Sequence, residues 1–454
     1  MLKRRISTEI ENYLKSSSNK ILVVDGARQI GKSYIIRHVG KSMFRNYIEI
    51  NMERDKQNDR LFAEAKTVES FYLSLSSIAG DRLGTKEDTL VFIDEIQAYE
   101  HLLTLVKFLM EDGRFTYVAS GSLLGVTLRK TQSVPVGSIQ RLRMFPLDFE
   151  EFLWANNVGD ETIREMKKCH EQRIALPDAI HRKIMDIFRR YLLVGGLPDA
   201  VNTYLSEHNI VKVRQVQNDI MELYISDAAK YEGESSRKLK IQRIYDMIPS
   251  NMENHKKRIR VKDIEGKAGK RTSDYEDEFD YLISSGISLD VNAISQPTYP
   301  LVQNAGKNLL KLYLNDVGLL TAKLYRNNIK PILEDTCSVN LGAVYETVVA
   351  QELRAHGFRL YYYDNKKNGE VDYLIDDTLT MSSLPIEVKS GKDYTAHSAL
   401  SKFLAIRDYH VKSAVVLSNE QSVYEKHGIT YMPIYNVMFF WQDIDLQESE
   451  LTLF

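Results

Sequence analysis

At 454 residues the chain exceeds one ordinary domain, and its length predicts about three. An apolar fraction of 43% excludes a disordered polypeptide, and a formal charge of -2 excludes a globally basic nucleic-acid binder, so any nucleic-acid surface has to be a local patch. The two cysteines, Cys169 and Cys337, match no metal spacing, and the ten histidines form no HxxxH pair, which argues against zinc and for a reducing, cytoplasmic setting. The basic start, Met1-Leu2-Lys3-Arg4-Arg5-Ile6, runs into an amphipathic helix. No stretch approaches the roughly 20 apolar residues of a membrane span, so no membrane partner is expected.

The first third alternates short apolar runs with helical patterns, the signature of a parallel sheet covered by helices. Strands are predicted at Ile21–Val24, Tyr47–Ile50, Leu90–Ile93 and Thr116–Ala119, with a further one before Phe145-Pro146-Leu147. Their unbroken apolar character fits burial on both faces. Directly after the first strand comes Gly26-Ala27-Arg28-Gln29-Ile30-Gly31-Lys32-Ser33, a glycine-bearing loop that opens a helix. Glycines let backbone N–H groups converge on phosphate oxygens, and the helix start adds its positive end. In this reading the loop residues Gly26, Ala27, Arg28, Gln29, Ile30, Gly31, Lys32 and Ser33 bind ATP. Lys32 reaches the β- and γ-phosphates, and the Ser33 hydroxyl binds Mg²⁺. The plain alternative is a glycine turn before a helix, which the flanking strand and helix disfavour.

Leu90-Val91-Phe92-Ile93-Asp94-Glu95 reads as a buried strand ending in two acids. Asp94 supplies oxygen to Mg²⁺, and Glu95 polarises the attacking water. Thr116–Ser120 is expected to lie between the loop strand and the acid strand. Ser120, with Ser122 as second choice, would contact the attacking water or the γ-phosphate. Arg28, Arg129, Arg141 and Arg143 are candidates for the arginine that neutralises the transferring phosphoryl group, in this subunit or across a subunit boundary.

From about Phe149 to Asn251 the pattern is helical, interrupted at Gly195-Gly196-Leu197-Pro198. Val261–Ser285 reads as a helix-turn-helix with its turn at Gly266–Gly269. Lys256, Lys257, Arg258, Arg260, Lys262, Lys267, Lys270 and Arg271 make this the densest basic region, and phosphate-backbone contact is the functional expectation. Interspersed Asp263, Glu265, Asp274, Glu276 and Asp277 support the plainer alternative, a solvated face.

From about Gly342 an α/β pattern returns. Asp372 lies in one strand pattern and Glu387 with Lys389 in the next, where Glu387 and Lys389 share one face. An acid followed by Glu-x-Lys on a neighbouring strand is the arrangement of many Mg²⁺-dependent nucleases: two carboxylates hold the metal and the lysine serves water. Glu346, on an apolar helix face with Val349, Ala350 and Leu353, needs a partner that a metal or Lys389 would supply.

Five segments together resemble a group of bacterial and archaeal ATPases. They are Gly121-Ser122-Leu123-Leu124-Gly125, Pro135-Val136-Gly137, Phe145-Pro146-Leu147-Asp148-Phe149-Glu150-Glu151-Phe152, Gly195-Gly196-Leu197-Pro198 and Lys311-Leu312-Tyr313-Leu314-Asn315-Asp316-Val317-Gly318-Leu319-Leu320. The resemblance implies an α/β chain with a P-loop AAA-type core over 1–152, a helical lid over 153–252, a winged-helix-like segment over 253–325 and a restriction-endonuclease-like, PD-(D/E)XK-like α/β domain over 326–454. Ser138 stands where many relatives carry a basic residue, so no basic role is carried over to it. The expected function is Mg²⁺-dependent ATP hydrolysis coupled to DNA binding or processing, with a nuclease-like second site. The alternative is an ATP-driven switch that binds proteins and uses the C-terminal domain as a scaffold. Assembly into a homo-oligomer is compatible with either.

Overall fold

The computed structural model describes residues 2–16, 18–122, 124–130, 136–231, 235–253, 257–266, 269–334, 340–391 and 393–442. Leu123, Pro135, Lys256, Lys267 and Cys337 lie outside these residues, and so does the side chain of Arg129. The chain divides into two compact units, one made of residues up to Phe145 with Asp280–Ile287, the other of Pro146–Phe279 with Ser288–Phe454.

The first unit is built on β1 (Ile21–Asp25), β2 (Asn46–Asn51), β3 (Thr89–Asp94), β4 (Thr116–Gly121) and β5 (Ile139–Arg143). They pair in the order β2-β3-β4-β1-β5, and every pairing is parallel. Strands β1 and β3 are buried along their whole length, as their continuous apolar runs require. β4 separates the strand that feeds the loop from the strand that carries the acids. All three therefore end at the same edge of the sheet, where parallel strands deliver ligand-binding residues. Phe62, Phe71, Leu75, Leu102, Val106, Leu109, Phe115 and Tyr117 fill a core against one face of this sheet.

The second unit contains the expected helical run, from Phe149–Ala155 through Ser235–Glu253, and the short helix Val261–Glu265. Its sheet comprises β6 (Ser288–Ile294), β7 (Ala305–Leu314), β8 (Leu360–Asn365), β9 (Gly369–Asp377), β10 (Ser382–Val388), β11 (Ala414–Ser418), β12 (Tyr424–Lys426) and β13 (Ile429–Pro433). The order is β12-β13-β11-β10-β9-β8-β6-β7, with parallel and antiparallel pairs mixed. β6 and β7 fall in the segment read as winged-helix-like, yet β6 pairs with β8, Val291 facing Leu360. β6 and β7 thus share one sheet with β8–β13. No described helix is long and apolar enough to cross a membrane.

Candidate nucleotide site and a second acidic cluster

After β1 the chain turns through Gly26 at φ +142°, Gln29 at +62° and Gly31 at +92° before the helix Lys32–Met43 begins. Gly31 occupies the cap position and has no side chain to accept from the first-turn amides, so these stay available to an anion. Lys32 is buried, and its ammonium donates to the carbonyls of Gly26 at 3.0 Å and Ala27 at 2.7 Å. Burial pushes its pKa down, while Glu95, Asp94 and Asp25 pull the other way.

Asp94 closes β3 and is held by neutral donors. The Ser33 hydroxyl donates to its Oδ1 at 3.0 Å, the Asn51 amide to its Oδ2 at 2.9 Å, and Ser120 donates to Oδ1 as well. Glu95 sits at φ +52°. Its Oε2 accepts from Gln97 Nε2 at 2.6 Å, Ser122 Oγ at 3.0 Å and Ser122 N at 3.2 Å. Burial alone would raise the Glu95 pKa, but Lys32, the bonds from Gln97 and Ser122, and Arg28 together hold it below the ordinary carboxylate value. The hydroxyl of Ser120 is thus spent on Asp94, and of the two serines it is Ser122 that adjoins Glu95. The hydroxyl and carboxylate oxygens of Ser33 and Asp94 are the hard donor set that Mg²⁺ prefers.

Among the candidate arginines, Arg28 donates to Ser122 Oγ at 3.4 Å, next to Glu95. Arg141 pairs with Asp25 at the foot of the loop. Arg143 donates to the Ile283 carbonyl at 3.2 Å and stacks 5.5 Å from the Phe145 ring centroid. Two further contributors escaped the sequence reading. Arg4, buried at the start of the helix Arg5–Lys15, donates to the loop carbonyl of Ile30 at 3.1 Å and to Phe145 O at 2.7 Å. Gly286 approaches so closely that a Cβ there would lie 3.1 Å from the Ala27 nitrogen. Neither carries a motif; both are set by tertiary packing.

In the second unit, β9 and β10 are antiparallel with Ile386 opposite Tyr373, and just beyond that pair the Asp372 side chain meets the backbone of β10. Asp372 Oδ2 accepts from Val388 N at 2.9 Å, and Lys389 Nζ donates to Glu387 Oε1 at 2.8 Å. Glu346 projects from the helix Gly342–Ala355 into the same field. Burial first, then Asp372, pushes Glu387 up to about 8, and the same two causes raise Glu346. The structure therefore brings Glu346, Asp372, Glu387 and Lys389 together, but it adds a residue the sequence reading had placed on a nucleic-acid surface. Lys257 forms an ion pair with Glu346 and lies in the field of Asp372 and Glu370. Its neighbour Arg258 pairs with Asp364. Arg260, Lys262, Lys270 and Arg271 are exposed. Among the described residues no group of His, Cys, Asp or Glu is arranged to hold a metal ion, so the acids do not fit one in this arrangement.

The Gly195–Pro198 and Asp316–Leu320 segments meet in the interior of the second unit. Asp316 accepts from Gly196 N at 2.6 Å and Leu319 N at 3.2 Å. A Cβ on Gly195, whose φ is +73°, would lie 2.0 Å from Asp316 Oδ1. Burial pushes Asp316 up to about 6 against these backbone bonds and the pull of Arg214. Tyr191 donates to Leu147 O at 2.6 Å and Glu352 Oε1 at 2.9 Å, and Gln351 Oε1 accepts from Val317 N at 2.8 Å. These segments hold the unit's interior together.

Residues 18–153 match a family model described as an AAA domain; residues 185–330 and 341–437 match two models described as domains of unknown function. No curated protein matches the chain. Among solved structures it is similar to a Walker-type ATPase of Pyrococcus abyssi, at 16% identity over 71% of this chain and 95% of that one, TM-score 0.42. It is also similar to Cdc6p of Pyrobaculum aerophilum, at 13% identity over 74% and 95%, TM-score 0.24. A third is the RuvB Holliday junction branch migration motor of Thermotoga maritima, at 14% identity over 63% and 89%, TM-score 0.27. The AAA-domain match falls on the unit that carries the five-stranded parallel sheet, and the chain is of α/β fold.

Proposed function

We propose that the first unit hydrolyses ATP with Mg²⁺ and that turnover is coupled to nucleic acid. The observation that carries the ATPase reading is the juxtaposition of Ser33 and Asp94, 3.0 Å apart, beside a loop whose lysine is parked on backbone carbonyls. Lys32 leaves those carbonyls for the phosphates when the nucleotide enters. Ser33 and Asp94 hold Mg²⁺, which supplies Lewis-acid stabilisation of the phosphoryl oxygens. Asn51 and Ser120 fix the Asp94 carboxylate. Glu95, kept ionised by Lys32 and Arg28, accepts the proton of the attacking water once it leaves Gln97 and Ser122. Arg28, which donates to Ser122 next to Glu95, supports a role in meeting charge on the transferring group.

Coupling to DNA rests on the exposed Arg260, Lys262, Lys270 and Arg271. The inward turn of Lys257 and Arg258 favours the second reading, a protein-binding switch with a non-catalytic C-terminal scaffold. No cleavage step is derived for Glu346, Asp372, Glu387 and Lys389. ATP turnover measured with and without duplex, single-stranded and branched DNA tests the proposal. Stimulation by one form supports coupling; equal turnover with all of them leaves the switch.

A further inference from the structure

Gln97 is a buried side chain whose amide is only half used. It lies on the short turn Ile96–Ala98 that follows Glu95, and it is 4% exposed. Its Nε2 donates to Glu95 Oε2 at 2.6 Å. Glu95 is held ionised and can only accept, so that contact fixes which end of the amide is nitrogen. Oε1 is the other end, and it is buried without a hydrogen-bond partner among the described residues. A buried acceptor left bare costs free energy that a donor recovers.

Two features hold Oε1 where it is. The turn is pinned: Ala98 N donates to Glu95 O at 2.9 Å, Lys56 Nζ to Ala98 O at 2.9 Å, and the Tyr99 hydroxyl to Asp55 Oδ2 at 2.9 Å. Gly121, at the end of β4, leaves the space, since a Cβ there would lie 2.4 Å from Oε1. Gly121-Ser122 opens one of the segments that carry the sequence resemblance, and its two residues have separate duties. Ser122 bonds Glu95 through N–H and hydroxyl, and Gly121 makes room for the amide beside it. One amide carbon separates Gln97 Oε1 from the Nε2 that touches Glu95, so both acceptors fall within the span of a single water molecule, about 5.5 Å for two O–H···O bonds.

We propose that Gln97 is a water-positioning residue, its Oε1 accepting one O–H of the attacking water while Glu95 takes the proton of the other. This rests on the ATP-hydrolysis reading and adds to it the fate of the second hydrogen. A water held only by its base can swing its lone pair away from the phosphorus, and a second, fixed acceptor removes that freedom. In the step, the water oxygen bonds to the γ-phosphorus. The bond from that phosphorus to the bridging oxygen breaks, and its electron pair stays with ADP. One proton passes to Glu95, and the other remains on the phosphate product, donated to Gln97 Oε1. Before nucleotide enters, Nε2 keeps Glu95 aside. When Glu95 turns to the water, the pinned turn keeps Oε1 in place.

Gln97→Ala and Gly121→Ala test this in the full chain. The first removes the carbonyl; the second pushes it aside with a methyl group and leaves the amide intact. The φ of Gly121 lies outside the left-handed region, so the backbone accepts that methyl group. ATP turnover at saturating nucleotide should fall at least tenfold in each variant, with KM and the affinity for a fluorescent ATP analogue within twofold. Loss of the Nε2 bond alone would free Glu95 and spare turnover, so the fall reports Oε1. The double variant should be no slower than Gln97→Ala, because the added methyl group then meets no amide. ADP with aluminium fluoride, which mimics the transferring group and its attacking water, gives a readout without turnover. Aluminium fluoride should tighten the binding of fluorescent ADP to the unaltered protein. Both single variants should lose that gain and bind ADP alone as before. Unchanged turnover in Gln97→Ala, a multiplied loss in the double variant, or an intact aluminium fluoride gain overturns the proposal. If Gln97→Ala does not fold, Gly121→Ala decides by the same readouts. An unaltered protein that hydrolyses no ATP sinks the ATPase reading and this inference together, whereas turnover indifferent to Gln97 sinks this inference alone.

Discussion

At the N-terminal site Asp94 and Glu95 are held by hydroxyl, amide and backbone donors, from Ser33, Asn51, Ser120, Gln97 and Ser122. In the C-terminal cluster Glu346 and Glu387 are held by the ammonium groups of Lys257 and Lys389. Neutral donors orient a carboxylate and leave its charge for a ligand; an ammonium orients it and cancels that charge. Buried acids alone therefore do not define a cation site, and what holds them decides whether any charge is left. The lysines differ in the same sense. Lys32 rests on carbonyl dipoles, which a phosphate easily outbids, whereas Lys257 rests on a full negative charge.

The largest effect should come from Glu95→Gln. The amide keeps the shape of the side chain but cannot take a proton, so ATP turnover should fall about 10²–10⁴-fold, the scale of a lost general base. Nucleotide affinity, read by a fluorescent ATP analogue, should hold within a few-fold. Full turnover in this variant would remove Glu95 from the mechanism. Lys32→Ala has the opposite signature, because it removes charge from the phosphates before any chemistry. Affinity itself should drop, by about tenfold or more. A variant that binds normally would show that the lysine stays on the loop carbonyls and that the comparison with Lys257 is wrong.

The third prediction addresses the exposed bases. Changing Arg260, Lys262, Lys270 and Arg271 together to alanine should weaken any DNA binding and flatten the plot of log K against log salt by up to about 0.9 per lost phosphate contact. Arg258→Ala should leave that slope unchanged, because its partner is Asp364. A slope that responds to Arg258 alone would mean that its pair with Asp364 opens in solution.

The P-loop and the acid strand could be read in advance because each rests on local chemistry, whereas of the sheet order only the place of β4 between their two strands was expected. Buried parallel strands must be apolar throughout, and a phosphate loop needs glycines at positive φ. The serines could be named but not assigned: strand spacing brings Ser120 and Ser122 to one sheet edge, and only the packing shows that one serves Asp94 and the other Glu95. The basic run from Lys256 to Arg271 looked uniform because a charge count carries no direction. Lys257 and Arg258 turn inward since Glu346 and Asp364 wait there, contacts spanning 89 and 106 residues respectively. Arg4 was hidden for the same reason, its partners being carbonyls that no sequence pattern marks. The continuity of β6 with β8 likewise depends on pairing between distant segments.

Asp316 provides an internal control for the comparison, since it is a buried acid held by backbone N–H groups, with Arg214 rather than, among the described residues, a lysine acting on it. Burial raises its pKa to about 6 from the ordinary value of 3.8. Below pH 4 it is protonated in both folded and unfolded chains and contributes nothing to the slope. Between about 4 and 6 the folded chain holds a proton that the unfolded chain has released, so stability falls as pH rises; above 6 the loss is complete. Moving from pH 7 to pH 5 should therefore stabilise the second unit by on the order of 1 kcal/mol through this residue. Both tryptophans, Trp154 and Trp441, belong to that unit, so urea unfolding followed by their fluorescence isolates it. Asp316→Asn carries no titratable proton, and the gap between its midpoint and that of the unaltered protein should shift toward the unaltered protein at pH 5. A gap that stays constant between pH 7 and pH 5 would mean that the N–H groups of Gly196 and Leu319 hold Asp316 ionised in spite of its burial. The contrast between the two regions would then rest on the lysines alone, with burial adding nothing.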